Sequence, residues 1–389
     1  MKKRSRDSLL LSLLAALLVL GALGVVAART ALGKPAPAVP APEAPTPSPT
    51  PHVHVFDADS FRCTLCGESC AHDAGFDEAH RCLACGYLCP HETHDPLTAA
   101  CPLCGKQFNH HFGMDGVCDV CGSSAVLYTA RLPERYYADS AHRGRCLRET
   151  LTLPDSLQLD IAVYLPWDYD PEGRYNLLIM MHGDGGSCDD WTDVLERTER
   201  GDVCLRTVYD AVVEEHLCDP FLVVGIDNRY MQNSFYGEKL IEETLLPYLA
   251  SHYATYMADG SIESIRDARE HIAIGGLSRG SIYTYDVAMA RCLDVAANFC
   301  CFSNGYSVNI LRFLRAYAQE GLGFVSYIAT VGLQDEPVYV RAHRYDYGVL
   351  CSSVDTLRDG DNARLIEIDE GHNFLTWTAS MYDALLLMF

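Results

Sequence analysis

Basic residues are scarce in this chain of 389 residues, which has 30 Lys and Arg against 52 Asp and Glu and a formal net charge of −22. Proteins that bind nucleic acid or an anionic membrane surface need a basic face to neutralise phosphates. The only basic cluster here is residues 2–6 (KKRSR), at the start of the chain. The charge balance therefore argues against a nucleic-acid partner, and the basic cluster needs another explanation.

Charged residues are absent from the next segment, Leu9 to Ala28 (LLLSLLAALLVLGALGVVAA). A basic flank before an apolar stretch is typical of an export signal, whose apolar region usually has about 7–15 residues, whereas a membrane-spanning helix needs about 20. The length predicts an anchor within residues 1–33 with its basic end inside the cell. The sequence Val26-Ala27-Ala28 also suits a cleavage site, so secretion without an anchor stays open. Both alternatives place the rest of the chain outside the cytoplasm.

Proline recurs at nearly every second or third position in residues 34–51 (KPAPAVPAPEAPTPSPTP). Such a segment cannot form a strand ladder or pack a core, because proline lacks the backbone N–H and fixes an extended conformation. We expect a semi-rigid spacer that holds the remainder of the chain away from the membrane.

Ten of the eighteen cysteines lie between Cys63 and Cys121, in four C-x2-C-G motifs that recur at steps of 19, 19 and 17 residues. A fixed period of this kind indicates an array of small units, here residues 52–125. Grouping each motif with the donors that follow it leaves Cys118 and Cys121 without partners and leaves His52 and His54 unexplained. Grouping each motif with the donors that precede it uses nearly every cysteine and histidine, so we prefer it. The predicted sets are His52, His54, Cys63 and Cys66; Cys70, His72, Cys82 and Cys85; Cys89, His91, Cys101 and Cys104; and His110, Cys118 and Cys121, with His111 as a candidate for the fourth position.

Zinc is the metal that these sets predict, because it prefers four sulfur or imidazole donors in a tetrahedron. A set of four protein ligands leaves no open position, so the role would be structural, and units this small would be unfolded without metal. Disulfides are the alternative for an exported chain, but a disulfide framework gains nothing from histidine. Residues 52–122 resemble the tandem zinc-ribbon-like repeats, C-x2-C-G-x2-C-x-H, on surface proteins of anaerobic Gram-positive bacteria.

Apolar runs alternate with amphipathic stretches in the remainder of the chain, residues 126–389. Strands that alternate with helices predict a mostly parallel sheet with helices on both faces. The predicted helices include residues 238–256, 281–292 and 374–389. The predicted strands are residues 157–165, 176–182, 221–226, 271–277, 299–303, 326–331 and 364–368.

A G-x-S-x-G motif, Gly276-Leu277-Ser278-Arg279-Gly280, lies between the apolar strand HIAIGGL and the helical pattern SIYTYDVAMARC. The motif alone is also compatible with a plain strand-to-helix turn. Its position between a strand and a helix predicts the elbow that exposes a nucleophilic serine at the carboxyl edge of a sheet. Ser278 is therefore the predicted nucleophile. A cysteine nucleophile is disfavoured, because none of the eight cysteines in this part of the chain lies in an elbow.

Three further elements follow the order that such a site requires. The strand at 176–182 runs into a glycine-rich turn at Gly183, where the backbone N–H of Asp184, together with that of Arg279, would hold a developing oxyanion. Asp335 follows the strand SYIATVG and His372 follows the strand RLIEID. In this order His372 would be the general base and Asp335 would fix its tautomer.

Other residues compete for these roles. Glu336 and Asp369 are alternative acids, although neither suits the position after the penultimate strand as well as Asp335 does. His182 is predicted to be a structural turn residue. Trp191, Trp377 and residues 227–230 are candidates for lining the pocket, although the helical spacing of Trp377 from Met381 favours core packing for Trp377.

Residues 145–389 resemble the esterase group that includes feruloyl and acetylxylan esterases, carbohydrate esterase family one. The matching stretches are YLPWDYDPEGRYNLLIMMHGDGGSCDDW, REHIAIGGLSRGS and EGHNFLTWTASMYDALLLMF. The resemblance implies an α/β-hydrolase fold, a triad of Ser278, Asp335 and His372, and an oxyanion turn at residues 183–185. The chain departs from the group at Arg279 and Ser281, and in the long stretch 336–362, whose tyrosines Tyr339, Tyr345 and Tyr347 we expect at the substrate rim.

With the location that the N-terminal segment predicts, the resemblance implies an extracellular hydrolase of carboxylic esters that acts through an acyl-enzyme on acylated polysaccharide or a similar ester, without a catalytic cofactor. Two alternatives stay open. In the first, residues 126–389 are a catalytically inactive hydrolase scaffold in a surface binding protein. In the second, they are a peptidase or an acyltransferase on the same fold, since fold does not fix chemistry.

Overall fold

The computed structural model describes residues 53–57, 59–90, 100–106, 110, 112–113, 115–129, 132–198, 201–305 and 310–389. The chain divides into two compact units, Met1–Cys70 and Ala71–Phe389. The predicted anchor and the proline-rich spacer lie outside the described residues. Among the residues that are described, no helix combines the length and apolar character that crossing a membrane requires.

Each described repeat folds around its C-x2-C-G motif as a tight loop. In the first unit the Gly67 N–H donates to the Cys63 carbonyl at 2.8 Å, and Phe56 pairs with Cys63 in an antiparallel bridge. The glycine of every motif has φ between 72° and 74°, the left-handed region that favours glycine. The same Phe–Cys bridge recurs in the second unit at Phe76 with Cys82 and at Phe112 with Cys118.

A nine-stranded sheet forms the frame of the second unit, with the strand order β1-β11-β10-β9-β8-β4-β7-β3-β2. Strands β2 and β3 pair antiparallel, as do β3 and β7, and the other neighbours are parallel. A short antiparallel hairpin, β5 with β6, lies outside the sheet. The strands are β1 Val126–Thr129, β2 Arg145–Thr152, β3 Gln158–Leu165, β4 Asn176–Met181, β5 Glu196–Thr198, β6 Gly201–Val203, β7 Phe221–Ile226, β8 Ile272–Leu277, β9 Asn298–Phe302, β10 Ser326–Gly332 and β11 Ala363–Ile368.

Helices cover both faces of the sheet. The helices are α1 Leu205–Glu214, α2 Ser234–Leu240, α3 Leu246–His252, α4 Ile262–Asp267, α5 Arg279–Tyr283, α6 Leu311–Gln319, α7 Pro337–Ser353 and α8 Phe374–Met388. A π-helical turn, Ile241–Leu245, joins α2 to α3, and another, Thr284–Met289, continues α5. Short 3-10 turns lie at Glu134–Tyr137, Cys188–Trp191, Asn228–Tyr230 and Arg269–His271.

Alternate residues of the central strands enter two separate cores. Along β4, Ile179 packs in the core beneath α2, α3 and α7, whereas Met180 packs in the core beneath α1 and α8. Both faces of each central strand are therefore buried, which is why these strands are continuous apolar runs in the sequence. The prediction of a mostly parallel sheet with helices on both faces is confirmed.

The last repeat shares the core of the sheet. Phe112 and Ala125 are buried in the same cluster as Leu365 of β11 and Tyr347 of α7. The chain continues from this repeat directly into β1, so the fourth C-x2-C-G motif lies within the sheet-containing unit.

Candidate active site and metal-ligating clusters

Ser278 lies at the sharp turn between β8 and α5. Its backbone has φ 51° and ψ −112°, a conformation that residues with a β-carbon rarely adopt. The Ser278 N–H donates to the Phe302 carbonyl of β9 at 2.8 Å, which holds the turn against the sheet. Strain at a non-glycine residue persists only where its surroundings enforce it, and it is common at functional sites.

The two glycines of the motif allow backbone segments to approach closely. A β-carbon on Gly280 would lie 2.1 Å from the Met181 carbonyl oxygen at the end of β4. A β-carbon on Gly276 would lie 2.5 Å from the Gly280 carbonyl carbon. Both contacts are with backbone, which cannot move aside, so the elbow requires glycine on each side of Ser278.

A hydrogen-bonded chain connects the three residues that the sequence predicts as a triad. His372 Nε2 lies 3.0 Å from Ser278 Oγ, and His372 Nδ1 lies 2.7 Å from Asp335 Oδ2. These lengths match those of a nucleophile, base and orienting acid in hydrogen-bond contact. The three residues come from the carboxyl ends of β8, β10 and β11, which meet at one edge of the sheet.

The acid and the base are fixed by their local structure. The Asp335 side chain is 1% exposed, and its second oxygen, Oδ1, accepts the Glu336 N–H at 2.7 Å. Pro337 follows at the first position of α7, where its missing N–H costs nothing. On the other side, Asn373 caps α8 by accepting the Leu375 N–H at 2.9 Å, so the helix starts immediately after His372.

The competing acids do not occupy the position beside His372. Asp369 is exposed and accepts a hydrogen bond from Gln334 at 3.1 Å. Glu336 contributes its backbone N–H to Asp335. Aromatic rings hold the imidazole instead, with the Trp377 ring edge-on at 5.2 Å and the Tyr339 ring stacked at 5.9 Å between centroids.

The predicted oxyanion turn lies next to the elbow. Gly183 and Asp184 line the same cleft as Ser278, and a β-carbon on Gly183 would lie 3.4 Å from the Ser278 β-carbon. The Arg279 side chain donates hydrogen bonds to both oxygens of the Asp184 carboxylate, from Nε to Oδ1 at 3.1 Å and to Oδ2 at 3.3 Å, and from Nη2 to Oδ2 at 3.0 Å. This partner lowers the pKa of Asp184 and raises the pKa of Arg279. The two residues whose N–H groups are predicted to hold the oxyanion are thus also joined by an ion pair.

A cleft of about 490 Å³ opens around Ser278 and His372. The aromatic rings of Phe374 and Trp377 line it, together with the carboxyls of Asp190 and Glu196. Burial raises the pKa of both carboxyls, and the charge of Asp190 adds to the effect on Glu196. The cleft therefore combines two aromatic rings, whose planes meet at 85°, with acidic groups that are costly to ionise.

Two of the residues expected near the substrate lie in the core instead. Trp191 is fully buried beside Phe302. Tyr347 is fully buried and stacks on Tyr327, so it does not reach the substrate rim. Both expectations were wrong because tryptophan and tyrosine supply large apolar surfaces that suit a core as well as a pocket.

Trp377 both packs in the core and lines the cleft, the two places that the sequence offered for it. It is 7% exposed and donates from Nε1 to Ser303 Oγ at 3.1 Å, yet its ring faces His372 and the cleft. His182 is buried and structural, as predicted, with Nδ1 2.7 Å from the Gly183 carbonyl and Nε2 accepting the Asn228 N–H at 3.3 Å.

Sequence reasoning missed the residues that line the cleft away from the triad. Asp190 completes a capping box with Ser187, a pattern that was visible as S-x-x-D after the glycine turn. Phe374 stands two residues after His372 and was a candidate by proximity. Glu196 lies on the β5–β6 hairpin, and no local signal indicates its place at the cleft.

Cysteine and histidine donors come together in each described repeat, in the grouping that joins each C-x2-C to the donors before it. Donor atoms within 4.8 Å of one another could hold a metal ion. Cys70, the other predicted member of the second set, ends the first compact unit, and His52, His91 and His111 lie outside the described residues. The clusters are His54, Cys63 and Cys66; His72, Cys82 and Cys85; Cys89, Cys101 and Cys104; and His110, Cys118 and Cys121.

The spacing of these donors fits a tetrahedral metal ion. Bonds of about 2.3 Å to sulfur and about 2.0–2.1 Å to nitrogen place neighbouring ligands roughly 3.6 Å apart around zinc. In three clusters the histidine Nδ1 lies 3.5 Å from a cysteine Sγ. In the third cluster Cys89 Sγ and Cys101 Sγ are 3.4 Å apart, whereas a disulfide would bring sulfurs to about 2.05 Å.

No protein-family model matches this chain. A stretch of 188 residues is 32% identical to endo-1,4-beta-xylanase Y of Acetivibrio thermocellus, and this match covers 47% of the chain and 16% of that protein. The chain thus corresponds to only a small part of this curated relative.

Several solved structures with a similar fold are esterases. A mutant of the feruloyl esterase module from Clostridium thermocellum, complexed with sinapinate, has a TM-score of 0.58 at 22% identity, covering 67% of this chain and 94% of that one. The chain has the α/β-hydrolase fold. A ferulic acid esterase of family CE1 from Anaeromyces mucronatus, in complex with ferulic acid, has a TM-score of 0.51 at 14% identity, covering 67% and 97%. The α/β-hydrolase fold that the motifs predict is confirmed.

Proposed function

We propose that this chain is an extracellular serine esterase that hydrolyses carboxylic esters of the feruloyl or acetyl type, carried on polysaccharide or a similar alcohol. The observation that supports the proposal most is the unbroken hydrogen-bonded chain from Asp335 through His372 to Ser278, at a strained elbow that opens onto a cleft. Residues separated by as much as 94 positions in sequence meet there in the geometry that nucleophilic catalysis needs.

The proposed reaction has two steps. Ser278 Oγ attacks the ester carbonyl carbon while His372 Nε2 takes the hydroxyl proton, and Asp335 holds the imidazole with its proton on Nδ1. The oxyanion that forms is held by the N–H groups of Arg279 and Asp184. His372 then protonates the departing alkoxide as the ester C–O bond breaks, which leaves an acyl-enzyme on Ser278. A water molecule, deprotonated by His372, hydrolyses that acyl-enzyme by the same path.

An aromatic acyl group suits the cleft. Phe374 and Trp377 offer two apolar ring surfaces at right angles, so a hydroxycinnamoyl ring could stack on one and meet the other edge to face. The cleft of about 490 Å³ lies within the range of small-molecule sites. Acidic side chains at Asp190 and Glu196 would disfavour a substrate that carries its own carboxylate near them. The likeness of the chain to esterases complexed with sinapinate and with ferulic acid supports the same substrate class.

Hydrolysis assays of the full chain test this function. We expect release of p-nitrophenol from p-nitrophenyl acetate and of ferulate from methyl ferulate, and loss of both activities in Ser278→Ala. Ser281→Ala is the matched control, because Ser281 lies on the same helix turn but donates its hydroxyl to the Asn304 carbonyl, away from His372. A wild type no faster than Ser278→Ala would refute the esterase. Cleavage of peptide anilides in preference to esters would favour the peptidase instead.

We also propose that each Cys/His cluster holds one structural zinc ion. The donor types, their mutual distances and the closed C-x2-C-G loops support zinc, which would join segments that have little apolar core of their own. Metal analysis of the purified full chain should find three or four zinc ions. Cysteines that are bridged in pairs, with no bound metal, would show a disulfide framework instead.

The cellular location is a further part of the proposal. The basic cluster followed by the uncharged stretch from Leu9 to Ala28 supports attachment to a membrane with the esterase outside the cell. Cell fractionation should find the protein in the membrane fraction, where protease added to intact cells digests it. Protein that is protected in intact cells would contradict this location.

A further inference from the structure

The last metal-ligating cluster is built into the hydrolase domain. We infer that the cluster of His110, Cys118 and Cys121 positions the acid and the base of the active site, so that metal bound there sets the alignment of Asp335 and His372 with Ser278. The inference rests on the proposed function and adds to it a metal-dependent positioning of two of the three reacting residues. Two structural connections between this cluster and the active site support the inference.

The first connection is a column of aromatic rings. The His110 ring stacks on Phe112 at 5.1 Å, Phe112 contacts Tyr347 at 6.2 Å, and Tyr347 stacks on Tyr327 at 5.7 Å between centroids. Phe112 is 7% exposed, and the two tyrosines are fully buried. Because protein interiors are close-packed, a shift of the His110 ring would be passed along this column. The column ends on α7 and β10, the two elements that flank Asp335.

The repeat approaches α7 too closely to slide over it. A β-carbon on Gly348 of α7 would lie 2.6 Å from the Phe112 carbonyl oxygen. On the adjacent turn, a β-carbon on Gly116 would lie 2.8 Å from Val126 and 3.8 Å from Arg344 of α7. The repeat backbone at Phe112 therefore lies directly against α7, and the turn at Gly116 contacts the side chains of Val126 and Arg344.

The second connection is the edge strand β1. The Cys118–Cys121 loop is closed by the Gly122 N–H donating to the Cys118 carbonyl at 2.8 Å, and the Ala125 N–H donates to the Gly116 carbonyl at 2.9 Å. The next residue begins β1, which pairs in parallel with β11 from Leu365 to Ile368. His372 follows the end of β11 by four residues. The cluster thus anchors the strand that borders the histidine loop.

The nucleophile is connected to this column less directly. Tyr285, in the π-helical turn that continues α5, packs edge-on against Tyr327 at 6.2 Å, and the two hydroxyl oxygens lie 2.6 Å apart. Ser278 follows β8, whose neighbours in the sheet are β4 and β9. Loss of the metal would therefore displace Asp335 and His372 more than the elbow, where the Ser278 N–H is held by the Phe302 carbonyl of β9. The second repeat differs as well, since Phe76, the counterpart of Phe112 in its bridge to the C-x2-C motif, is partly exposed and lies outside both cores.

Cys121→Ser in the full chain tests the inference, because it removes one ligand of the last cluster alone. We expect one zinc equivalent fewer, a fall of about 10- to 100-fold in kcat on p-nitrophenyl acetate, as for small misplacements of reacting groups, and little change in KM. Hydrogen exchange should become faster in β11 and stay slow in β8. Removal of zinc from the wild type with a chelator should give the same changes, and added zinc should reverse them.

A second pair of variants keeps every metal ligand. Phe112→Ala should lower kcat and speed exchange in β11, whereas the matched Phe76→Ala should leave both unchanged. If Cys121→Ser does not fold, these two variants test whether the last repeat positions the acid and the base. A folded Cys121→Ser or zinc-free chain with wild-type kcat, or equal effects of Phe112→Ala and Phe76→Ala, would overturn the inference. If the wild type hydrolyses no ester, the proposed function fails separately, and an unchanged exchange pattern in Phe112→Ala would still refute the coupling.

Discussion

Asp335→Asn would reverse the tautomer of the catalytic histidine. In the structure Asp335 Oδ1 accepts the Glu336 N–H at 2.7 Å, while Oδ2 faces His372 Nδ1 at 2.7 Å. An asparagine must place its amide oxygen toward the Glu336 N–H, since an N–H cannot accept a hydrogen bond. Its NH2 group then faces His372 Nδ1, which has to become the acceptor. The imidazole proton moves to Nε2, the atom that should take the proton from Ser278.

The expected loss follows from that reversal. A histidine with its proton on Nε2 cannot deprotonate Ser278, and the same change in a serine protease triad lowers kcat by about 10⁴-fold. We expect about the same factor here, which corresponds to about 5 kcal/mol in activation free energy. The fold should be retained, because asparagine has nearly the size of aspartate and keeps the bond to the Glu336 N–H.

The assay is steady-state hydrolysis of p-nitrophenyl acetate by wild type and Asp335→Asn, with circular dichroism to verify folding. Asp369→Asn and Glu336→Gln are the matched controls, since each removes a neighbouring carboxylate that does not contact His372. Both controls should stay near the wild-type kcat. A folded Asp335→Asn within about tenfold of wild type, or a control that loses as much, would refute the assignment of the acid.

Three further predictions concern single side chains. Gly280→Ala should lower the melting temperature by about 6–12 °C or prevent folding, because its β-carbon would lie 2.1 Å from the Met181 carbonyl oxygen and overpacking costs about 3 kcal/mol; an unchanged thermal scan would contradict this. Burial, with the charges of Asp294 and Glu238, raises the pKa of Glu242 from 4.5 to about 7. The native state therefore holds a proton that the unfolded state has released, and stability falls as the pH rises from about 4.5 to 7. Glu242→Gln should match the wild type near pH 4 and melt higher near pH 8, and a pH-independent difference would count against it. Arg279→Met should keep ester hydrolysis within about tenfold of wild type, because the exposed ion pair with Asp184 contributes at most about 1 kcal/mol; a larger loss would mean that this pair fixes the oxyanion turn.

The central strands were predictable because burial on both faces leaves a continuous apolar run in the sequence. Strands β3, β4 and β7 to β11 begin and end within two residues of the predicted ranges. The edge strands were missed. In β2, Arg145–Thr152, exposed and half-buried residues dominate, and β1 has only four residues, Val126–Thr129, so neither carries enough apolar periodicity to be recognised.

A site residue that a short sequence motif marks was easier to predict than one that only the order of the strands indicates. Ser278 carries a motif that spans five residues between a strand and a helix. Asp335 was weighed against Glu336 and Asp369, and the order of strands alone did not separate them. The structure places Asp335 beside His372 because α7 begins immediately afterwards and turns Glu336 away.

The sequence by itself determined what depends on neighbours along the chain: the alternation of strands and helices, the strained turn at Ser278, and the period of the Cys/His motifs. Those features follow from steric and ligand geometry over a few residues. Only the tertiary structure decided which distant side chains meet. It buried Tyr347 in the core, brought Glu196 to the cleft, and packed Phe112 of the last repeat against α7. Contacts of this kind arise from complementary shapes of surfaces far apart in sequence, which no local pattern encodes.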